Sequence, residues 1–240
     1  MDDGLKEALA RNGWAMRSPG FIAFEQSAAA REFEHLYADK AMESGYENVA
    51  QLHAADIARS PTVSAIMAQV ERHMRVISRS LRFGQLWLVK SRPENIHADA
   101  VPFVPHFDRQ RFLKAMIYLD DVTSRDGPFT VASQPPSRTD ALRRSLPDDY
   151  KERGLNVIRD LQAAGFTACT GMAGSVIFFD TNSPHYAGHV QGSGQRRVFR
   201  FDFADPAWNR QPFLTRLGRA ARRRLGLGQP AIGHSTRGAA

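Results

Sequence analysis

Six short apolar runs between residues 83 and 203 constrain the fold of this chain more than any other feature of its sequence. They are rich in Val, Ile, Phe, Tyr and Trp, and Pro, Gly, Asp and Asn residues separate them. This is the pattern of strands that alternate with turns, and many short strands in succession favour a β-sandwich or a barrel. The predicted strands cover residues 85–90, 101–105, 112–119, 128–131, 175–180 and 197–203.

The first eighty residues have the apolar spacing of helices instead. Gly13 suits the C-terminal cap of a helix that begins near residue 5. Ser27 is placed to cap a second helix that runs to about residue 42. Ser60 and Pro61 are placed to begin a third, because proline is tolerated in the first helical turn. Helices followed by many strands predict an α+β protein with a β-sandwich or barrel core.

The sequence predicts one domain over residues 1–208, with a helical part over 1–82 and a barrel core over 83–205, followed by a basic tail over 209–240. A charged stretch over 137–165 interrupts the strands and is predicted to be helical. The tail contains seven arginines and no acidic residue, so it accounts for the whole formal net charge of +7. The rest of the chain is close to neutral, which argues against a nucleic-acid groove across the main fold.

The tail and the single cysteine bear on partners and location. Residues 210–224 are predicted to form a helix that packs its leucine face on the barrel, and peripheral contact with an anionic membrane stays open as the alternative. Cys169 alone excludes an internal disulfide and a zinc site made of several cysteines. The N-terminus lacks a signal-peptide pattern, and no apolar run approaches the ~20 residues of a membrane span. We therefore expect a cytoplasmic protein.

The segment His106-Phe107-Asp108 carries the first indication of metal chemistry. Residues two apart on an extended strand face the same way, so His106 and Asp108 can bind one metal ion. His185 offers a third ligand from the turn that follows the predicted strand 175–180. Two imidazoles and a carboxylate on one face leave other coordination positions open, which suits the iron(II) oxygenases.

Each of these ligands has a competitor in the sequence. A second His-x-Asp pattern begins at His97, in a polar stretch that is typical of a loop. We prefer the pattern that begins at His106, because it leads directly into the predicted strand 112–119. The competitor of His185 is His189, four residues later.

Arginines at the start of the last predicted strand offer an anion site. Arg196 lies eleven positions after His185, and its guanidinium can hold a co-substrate carboxylate through two charged hydrogen bonds. Arg197 and Arg200 carry the same group, and the alternative is that all three are solvated strand arginines.

Three further residues of the predicted strands need an interpretation. Lys114 and Tyr118 share a face of strand 112–119, and if that face is the barrel interior, both can contact co-substrate or substrate. Otherwise Tyr118 belongs to the core and Lys114 reaches the rim. We expect Trp87 to be a core residue rather than a functional one.

Taken in order, these segments resemble the phytanoyl-CoA dioxygenase family of iron(II)- and 2-oxoglutarate-dependent enzymes over about residues 80–205. The matching segments are His-Phe-Asp at 106–108, Leu-Lys-Ala-Met-Ile-Tyr-Leu-Asp-Asp-Val at 113–122, Asp-Gly-Pro-Phe at 126–129, Gly-Ser-Val-Ile-Phe-Phe-Asp-Thr at 174–181, His-Tyr-Ala-Gly at 185–188 and Arg196. One departure is the stretch 132–137, which reads Ala-Ser-Gln-Pro-Pro-Ser where such proteins often have Pro-Gly-Ser-His.

The resemblance implies a double-stranded β-helix, a cupin-like jelly-roll barrel with N-terminal helices packed outside. It implies that His106, Asp108 and His185 bind iron(II), and that Arg196 binds the far carboxylate of 2-oxoglutarate. Arg197 would take that place if the register were shifted by one residue.

The resemblance also implies a reaction. With 2-oxoglutarate and O2 as co-substrates, the enzyme would hydroxylate an unactivated C–H bond of a small molecule, possible classes being lipid, amino-acid, sugar and natural-product derivatives, and release succinate and CO2. The carboxylate at Asp108 favours hydroxylation over halogenation, since related halogenases have a small residue there. Two rival functions are a non-catalytic jelly-roll that binds metal or ligand, and a nucleic-acid demethylase of the same superfamily. The Arg-x-Asn-x-Thr segment of such demethylases is not found near Arg196.

Overall fold

The order of elements confirms the predicted α+β class, since helices dominate the first eighty residues and strands dominate the rest. The computed structural model describes residues 4–44, 48–93, 101–147, 149–150, 153–158 and 165–208. The helices are α1 (Leu5–Asn12), α2 (Gln26–Ser44), α3 (Ala54–Ala58), α4 (Pro61–Ile77) and α5 (Pro136–Ser145). The strands are β1 (Trp14–Arg17), β2 (Val49–Leu52), β3 (Arg82–Ser91), β4 (Leu113–Tyr118), β5 (Phe129–Ala132), β6 (Phe166–Cys169), β7 (Val176–Asp180), β8 (His185–Ala187) and β9 (Arg196–Ala204).

Two antiparallel sheets form the core. The six-stranded sheet has the strand order β1-β7-β4-β9-β3-β2, and the three-stranded sheet has the order β6-β5-β8. Most neighbours within a sheet are far apart in sequence, as in the crossing connections of a jelly roll. The jelly-roll fold with N-terminal helices that the resemblance implies is confirmed.

The outer face of the six-stranded sheet is apolar and packs against the N-terminal helices. Leu88, Phe199 and Phe201 on this face are fully buried in one hydrophobic cluster with Val63 and Ile66 of α4. Burial of a side chain of this size stabilises a fold by about 1.5–3 kcal/mol. The outer face therefore holds the helices on the barrel.

The inner face of the same sheet is directed at the three-stranded sheet. Met116 of β4 and Val198 of β9 pack there with Phe129 of β5 in a second hydrophobic cluster. Because side chains alternate along a strand, Lys114 of β4 and Arg196 of β9 point to the same inner face. The barrel interior thus carries both apolar and charged residues.

Five of the six predicted strands are present, and the strand predicted over 101–105 is wrong. The described residues there form turns. Pro102 and Pro105 have no N–H to donate to a strand ladder, which explains the failure. Strands β1, β2, β6 and β8 were not predicted, because three or four residues are too few to show an alternating pattern.

Two of the three predicted helix signals are confirmed. Gly13 ends α1 with φ 76°, and α4 begins at Pro61. The expectation for Ser27 is wrong, because α2 begins one residue earlier. The carboxylate of Glu25 caps the start of α2 instead. It accepts hydrogen bonds from the backbone N–H groups of Ser27 and Ala28 at 2.9 and 2.5 Å.

Some predictions are confirmed in part or fall outside the described residues. In the stretch 137–165, α5 ends at Ser145, and the described residues beyond it form no further helix. His97 and the tail 209–240 lie outside the described residues. Within the described residues, no helix is long and apolar enough to cross a membrane.

Candidate metal centre

The side chains of His106, Asp108 and His185 converge at one end of the barrel interior. One ligand atom from each lies within 4.8 Å of the others, and no other group of three potential ligand side chains occurs among the described residues. The Nε2 atoms of His106 and His185 lie 3.5 and 3.6 Å from Oδ1 of Asp108. The three residues predicted to bind a metal are thus brought together in space.

The backbone brings the two histidines together in a way the sequence did not predict. His106 lies outside the named strands, so the extended strand expected for the His-x-Asp segment is absent. Instead His106 forms an isolated antiparallel bridge with His185, and the two residues exchange N–H···O=C hydrogen bonds of 3.0 and 2.8 Å. The N–H of Asp108 donates to the carbonyl of Thr181 at 3.3 Å.

Hydrogen bonds fix the orientation of both imidazoles. Nδ1 of His106 lies 2.8 Å from the carbonyl of Val104, and Nδ1 of His185 lies 2.8 Å from the carbonyl of Ser183. A carbonyl oxygen only accepts, so each Nδ1 carries the proton and each Nε2 has a lone pair directed at the centre. Burial, together with the His106 ring, lowers the pKa of His185 to about 3, which keeps this ligand neutral.

The carboxylate of Asp108 has a different partner on each oxygen. Oδ1 faces the two imidazoles, whereas Oδ2 accepts a 2.7 Å hydrogen bond from Nζ of Lys114. Although burial opposes it, the ammonium group of Lys114 holds the pKa of Asp108 well below its usual range. Two imidazoles and one carboxylate are a donor set that fits iron(II).

Lys114 and Tyr118 both face the interior, and both hydrogen-bond to the protein. Lys114 is 7% exposed and contacts Asp108 rather than the rim of the barrel. The hydroxyl of Tyr118 donates to the carbonyl of Cys169 at 2.8 Å and accepts the N–H of Phe129 at 3.1 Å. Tyr118 therefore belongs to the core between the two sheets.

Arg196 is a fully buried guanidinium with unused donors. It is 1% exposed, and its one hydrogen bond within the described residues runs from Nη2 to Oγ of Ser91 at 3.1 Å. Its Nε and Nη1 are buried and have no partner in the described part of the chain. Burial lowers the pKa of Arg196, because an uncompensated charge in the interior is costly. An anionic ligand would supply the missing acceptors.

Arg197 points the opposite way and is already paired. Its guanidinium contacts Asp120 at 2.5–3.1 Å and Glu34 of α2 at 3.2 Å. These partners raise the pKa of Arg197, chiefly through the hydrogen bonds to Asp120. Of the two arginines that the sequence left as alternatives, only Arg196 faces the barrel interior.

The turn that presents His185 is held by residues to which the sequence gave no role. Arg111 contacts the carboxylate of Asp180 at 2.7–3.2 Å and that of Asp140 at 3.0 Å. Burial raises the pKa of Asp180, while Arg111 acts against that rise. One sequence signal was available, because Asp180 ends an otherwise apolar strand and Arg111 precedes another.

Gly13 supports the same turn by being small. A Cβ atom at Gly13 would lie 1.8 Å from Oγ of Ser183, two residues before His185. The backbone carbonyl of Gly13 also accepts the N–H of Asp180 at 2.8 Å. The glycine that ends α1 therefore also allows the His185 turn to approach closely.

A cavity of about 320 Å³ adjoins two of the three candidate ligands, His106 and Asp108. Its lining residues are Val101, His106, Asp108, Arg109, Gln110, Phe112 and Asn156. This volume lies at the lower end of the roughly 300–1,000 Å³ of small-molecule sites. His189 takes no part in the ligand group and stacks on Phe103, with ring centroids 5.3 Å apart.

Comparison with known proteins identifies one family and several related folds. Residues 11–198 match the sequence model of the family described as phytanoyl-CoA dioxygenase (PhyH). Among curated proteins, none matches the chain.

Solved structures with the same fold span most of the chain. EvdO2 from Micromonospora carbonacea var. aurantiaca, complexed with 2-oxoglutarate, is 18% identical with a TM-score of 0.59, over 88% of this chain and 95% of that one. HygX from Streptomyces hygroscopicus, with nickel, 2-oxoglutarate and hygromycin B bound, is 14% identical with a TM-score of 0.55, over 86% and 88%. SnoN, a non-haem α-ketoglutarate-dependent epimerase from nogalamycin biosynthesis, is 20% identical with a TM-score of 0.61, over 84% and 79%. At these identities the likeness shows a shared fold.

Proposed function

The chain belongs to the phytanoyl-CoA dioxygenase family, and from this premise we propose that it is an iron(II)- and 2-oxoglutarate-dependent oxygenase that hydroxylates a small molecule. His106, Asp108 and His185 would hold the iron. When bound, iron(II) and 2-oxoglutarate supply an oxidant from O2 that attacks a C–H bond, with succinate and CO2 as by-products. The observation that carries the proposal is the buried Arg196 guanidinium with two unused donors on the same inner face.

Arg196 binds the carboxylate of 2-oxoglutarate that lies farther from the metal. The unpartnered Nη1 can form a two-pronged pair with a carboxylate together with the second N–H of Nη2, while Nε offers one further charged donor. Ser91 holds the third nitrogen through its hydroxyl and so orients the guanidinium. Tyr118 also points to the inner face, where it packs in the core between the two sheets.

Lys114 fixes the carboxylate of Asp108 for metal binding. Its ammonium group occupies Oδ2 and leaves Oδ1 for the metal, so that Asp108 donates one oxygen only. Three protein ligands then leave coordination positions for co-substrates. The same ammonium group is placed to contact a co-substrate or substrate bound at the metal, as the shared strand face of Lys114 and Tyr118 predicts.

The substrate is proposed to be a small molecule that enters through the 320 Å³ cavity. Among the structural neighbours, HygX has the small molecule hygromycin B bound, and SnoN is an epimerase from nogalamycin biosynthesis. We propose hydroxylation, in the cytoplasm, without nucleic-acid contact. The near-neutral body of the chain supports the last point.

Succinate formation tests the proposal. Full-length protein supplied with iron(II), 2-oxoglutarate and O2 is expected to release succinate slowly even without substrate. The variant Asp108→Ala should lose this activity, whereas Asp120→Ala, which removes a carboxylate bound to Arg197, should keep it. Absence of iron-dependent succinate in the wild-type protein would favour a non-catalytic jelly-roll.

A further inference from the structure

The inner face of the six-stranded sheet extends past the metal centre into a polar region, which we call the polar platform. It consists of Gln51 on β2, Gln85 and Trp87 on β3, and Arg200 and Asp202 on β9. Asp202 is 1% exposed, and the other four are half-buried. Trp87, its one hydrophobic member, belongs to neither hydrophobic cluster of the described residues.

Strand register places the polar platform beside the metal ligands. Asp202 lies directly opposite Lys114 in the β4–β9 ladder, and Gln85 lies opposite Asp202 in the β3–β9 ladder. Opposite residues of an antiparallel pair point to the same face, with Cβ atoms about 4.5–5.5 Å apart. Since Lys114 contacts Asp108 at 2.7 Å, the polar platform begins one side chain away from a metal ligand.

Hydrogen bonds fix the polar platform and neutralise its charges. Nε of Arg200 donates to Oδ1 of Asp202 at 3.1 Å, and Nε2 of Gln85 donates to Oδ2 at 3.1 Å. Nε2 of Gln51 donates in turn to Oε1 of Gln85 at 3.3 Å. The polar platform therefore presents amide and guanidinium groups with no net charge.

Trp87 carries a buried N–H group that a ligand could satisfy. Its Nε1 is shielded from solvent and has no hydrogen-bond partner within the described residues. The guanidinium of Arg200 lies over its ring, 5.2 Å from the centroid. The expectation that Trp87 is a core residue is not met, because it lies in neither cluster. Buried donors without an acceptor are rare in proteins, so a ligand oxygen is the natural partner for this N–H.

We propose that the polar platform binds the hydroxyl-rich part of a neutral substrate, such as a glycosyl group, with the Trp87 N–H donating to one of its oxygens. The inference rests on the proposed function, because it places that substrate next to the metal. Amide groups both donate and accept hydrogen bonds and so complement hydroxyl groups. An acyl chain would leave these polar groups without partners. A phosphate would be bound weakly, because Asp202 already neutralises the charge of Arg200.

A binding experiment distinguishes these ligand classes. Full-length protein loaded anaerobically with iron(II) and 2-oxoglutarate is titrated with neutral mono-, di- and trisaccharides and methyl glycosides, and separately with straight-chain fatty acids and sugar phosphates. The visible absorption band of the iron–2-oxoglutarate complex reports binding near the metal. At least one neutral saccharide is expected to shift the band. No response to any saccharide, or a response to fatty acids or phosphates alone, would overturn the inference.

A tryptophan variant tests the contact itself. Trp87→Phe keeps an aromatic ring and removes the N–H, so we expect saccharide affinity to fall roughly 10-fold, as for the loss of one buried hydrogen bond. The affinity for 2-oxoglutarate should not change. Trp208→Phe is the matched control, since its ring contacts Arg111 and lies outside the polar platform, and it should bind saccharide normally.

Two outcomes separate failure of this inference from failure of the proposed function. If Trp87→Phe weakens 2-oxoglutarate binding as much as saccharide binding, the polar platform is a co-substrate site and the inference is wrong. If the wild-type protein forms no absorption band, calorimetric titration of the metal-free protein still tests the polar platform. Saccharide binding that depends on Trp87 would then support it while the proposed function fails, and no binding would refute both.

Discussion

The two faces of the six-stranded sheet are made by the same strands but differ in how their polar groups are satisfied. On the outer side, Arg197 and Lys90 both pair with the carboxylate of Glu34, and Arg197 also binds Asp120. On the inner side, Arg196 leaves two nitrogens without a partner in the described residues. Arg196 and Arg197 are adjacent in β9, and adjacent strand residues point to opposite faces of the sheet.

The difference separates the face that stabilises the fold from the face that is proposed to bind ligands. Outer charges are neutralised within the protein, and Lys90 and Arg197 hold the pKa of Glu34 below its usual value although burial opposes it. Inner donors are buried before any ligand is present, which costs stability unless an acceptor arrives. Substitutions on the outer face should therefore change the free energy of unfolding, and those on the inner face should change ligand affinity.

The largest effect is expected on the outer face at Phe199. This residue is fully buried, and its ring lies 5.6 Å from that of Phe33 of α2. Phe199→Ala should lower the free energy of unfolding by about 3–5 kcal/mol, through lost burial and the cavity left behind. Chemical denaturation measures the loss, with Phe199→Leu as a milder control. Iron(II) affinity of the folded variant should not change, and a parallel loss would show that the two faces are not separable.

The next largest effect is expected at Asp108. Asp108→Ala removes the only carboxylate of the ligand group and should weaken iron(II) binding by at least about 100-fold, the upper end of losses from changes around a metal site. Competition with a metal chelator measures this affinity. The outer-face control Asp120→Ala should bind iron(II) like the wild-type protein, and equal behaviour of the two variants would count against the proposed centre.

A smaller effect separates the two adjacent arginines. Arg196→Gln should weaken 2-oxoglutarate binding roughly 30- to 100-fold, because charged hydrogen bonds worth about 2–3 kcal/mol are lost. Arg197→Gln should change that affinity less than about 2-fold while lowering stability, since its partners belong to the protein. If Arg197→Gln weakened 2-oxoglutarate binding and Arg196→Gln did not, Arg197 would be the residue that binds the carboxylate.

The smallest effect is expected at Lys114. Lys114→Met keeps the length of the side chain and removes the hydrogen bond to Asp108, so iron(II) affinity should fall roughly 10-fold. Lys90→Met is the matched control, because Lys90 is equally buried at 7% exposure but pairs with Glu34 on the outer face. A loss of iron(II) affinity in both variants would indicate general destabilisation instead.

The sequence predicted which residues the structure brings together better than it predicted the connections around them. His106 and Asp108 were proposed from residue type and spacing, His185 and Arg196 more from the family resemblance, and the long apolar strands were visible from composition alone. The bridge between His106 and His185 was not predicted, because pairing between segments almost eighty residues apart leaves no local pattern.

For the same reason, the sequence did not predict the contacts of Arg111 and Trp87. Arg111 forms ion pairs with Asp180 and Asp140, and these contacts cannot be predicted from the spacing of the three residues in the sequence. Trp87 has the composition of a core strand, and only the register of β3 against β9 places it beside Arg200. Short strands such as β8 depend on their neighbours for definition and could not be predicted from three residues.

Anaerobic titration with iron(II) and 2-oxoglutarate tests the central claim most directly. The claim is that the inner face holds a metal through His106, Asp108 and His185 and a dicarboxylate through Arg196. We predict a weak visible charge-transfer band that saturates in wild-type protein and in Arg197→Gln. In Arg196→Gln it should require much more 2-oxoglutarate, and in Asp108→Ala it should be lost. A wild-type protein that binds iron(II) but never develops the band with 2-oxoglutarate would contradict the account.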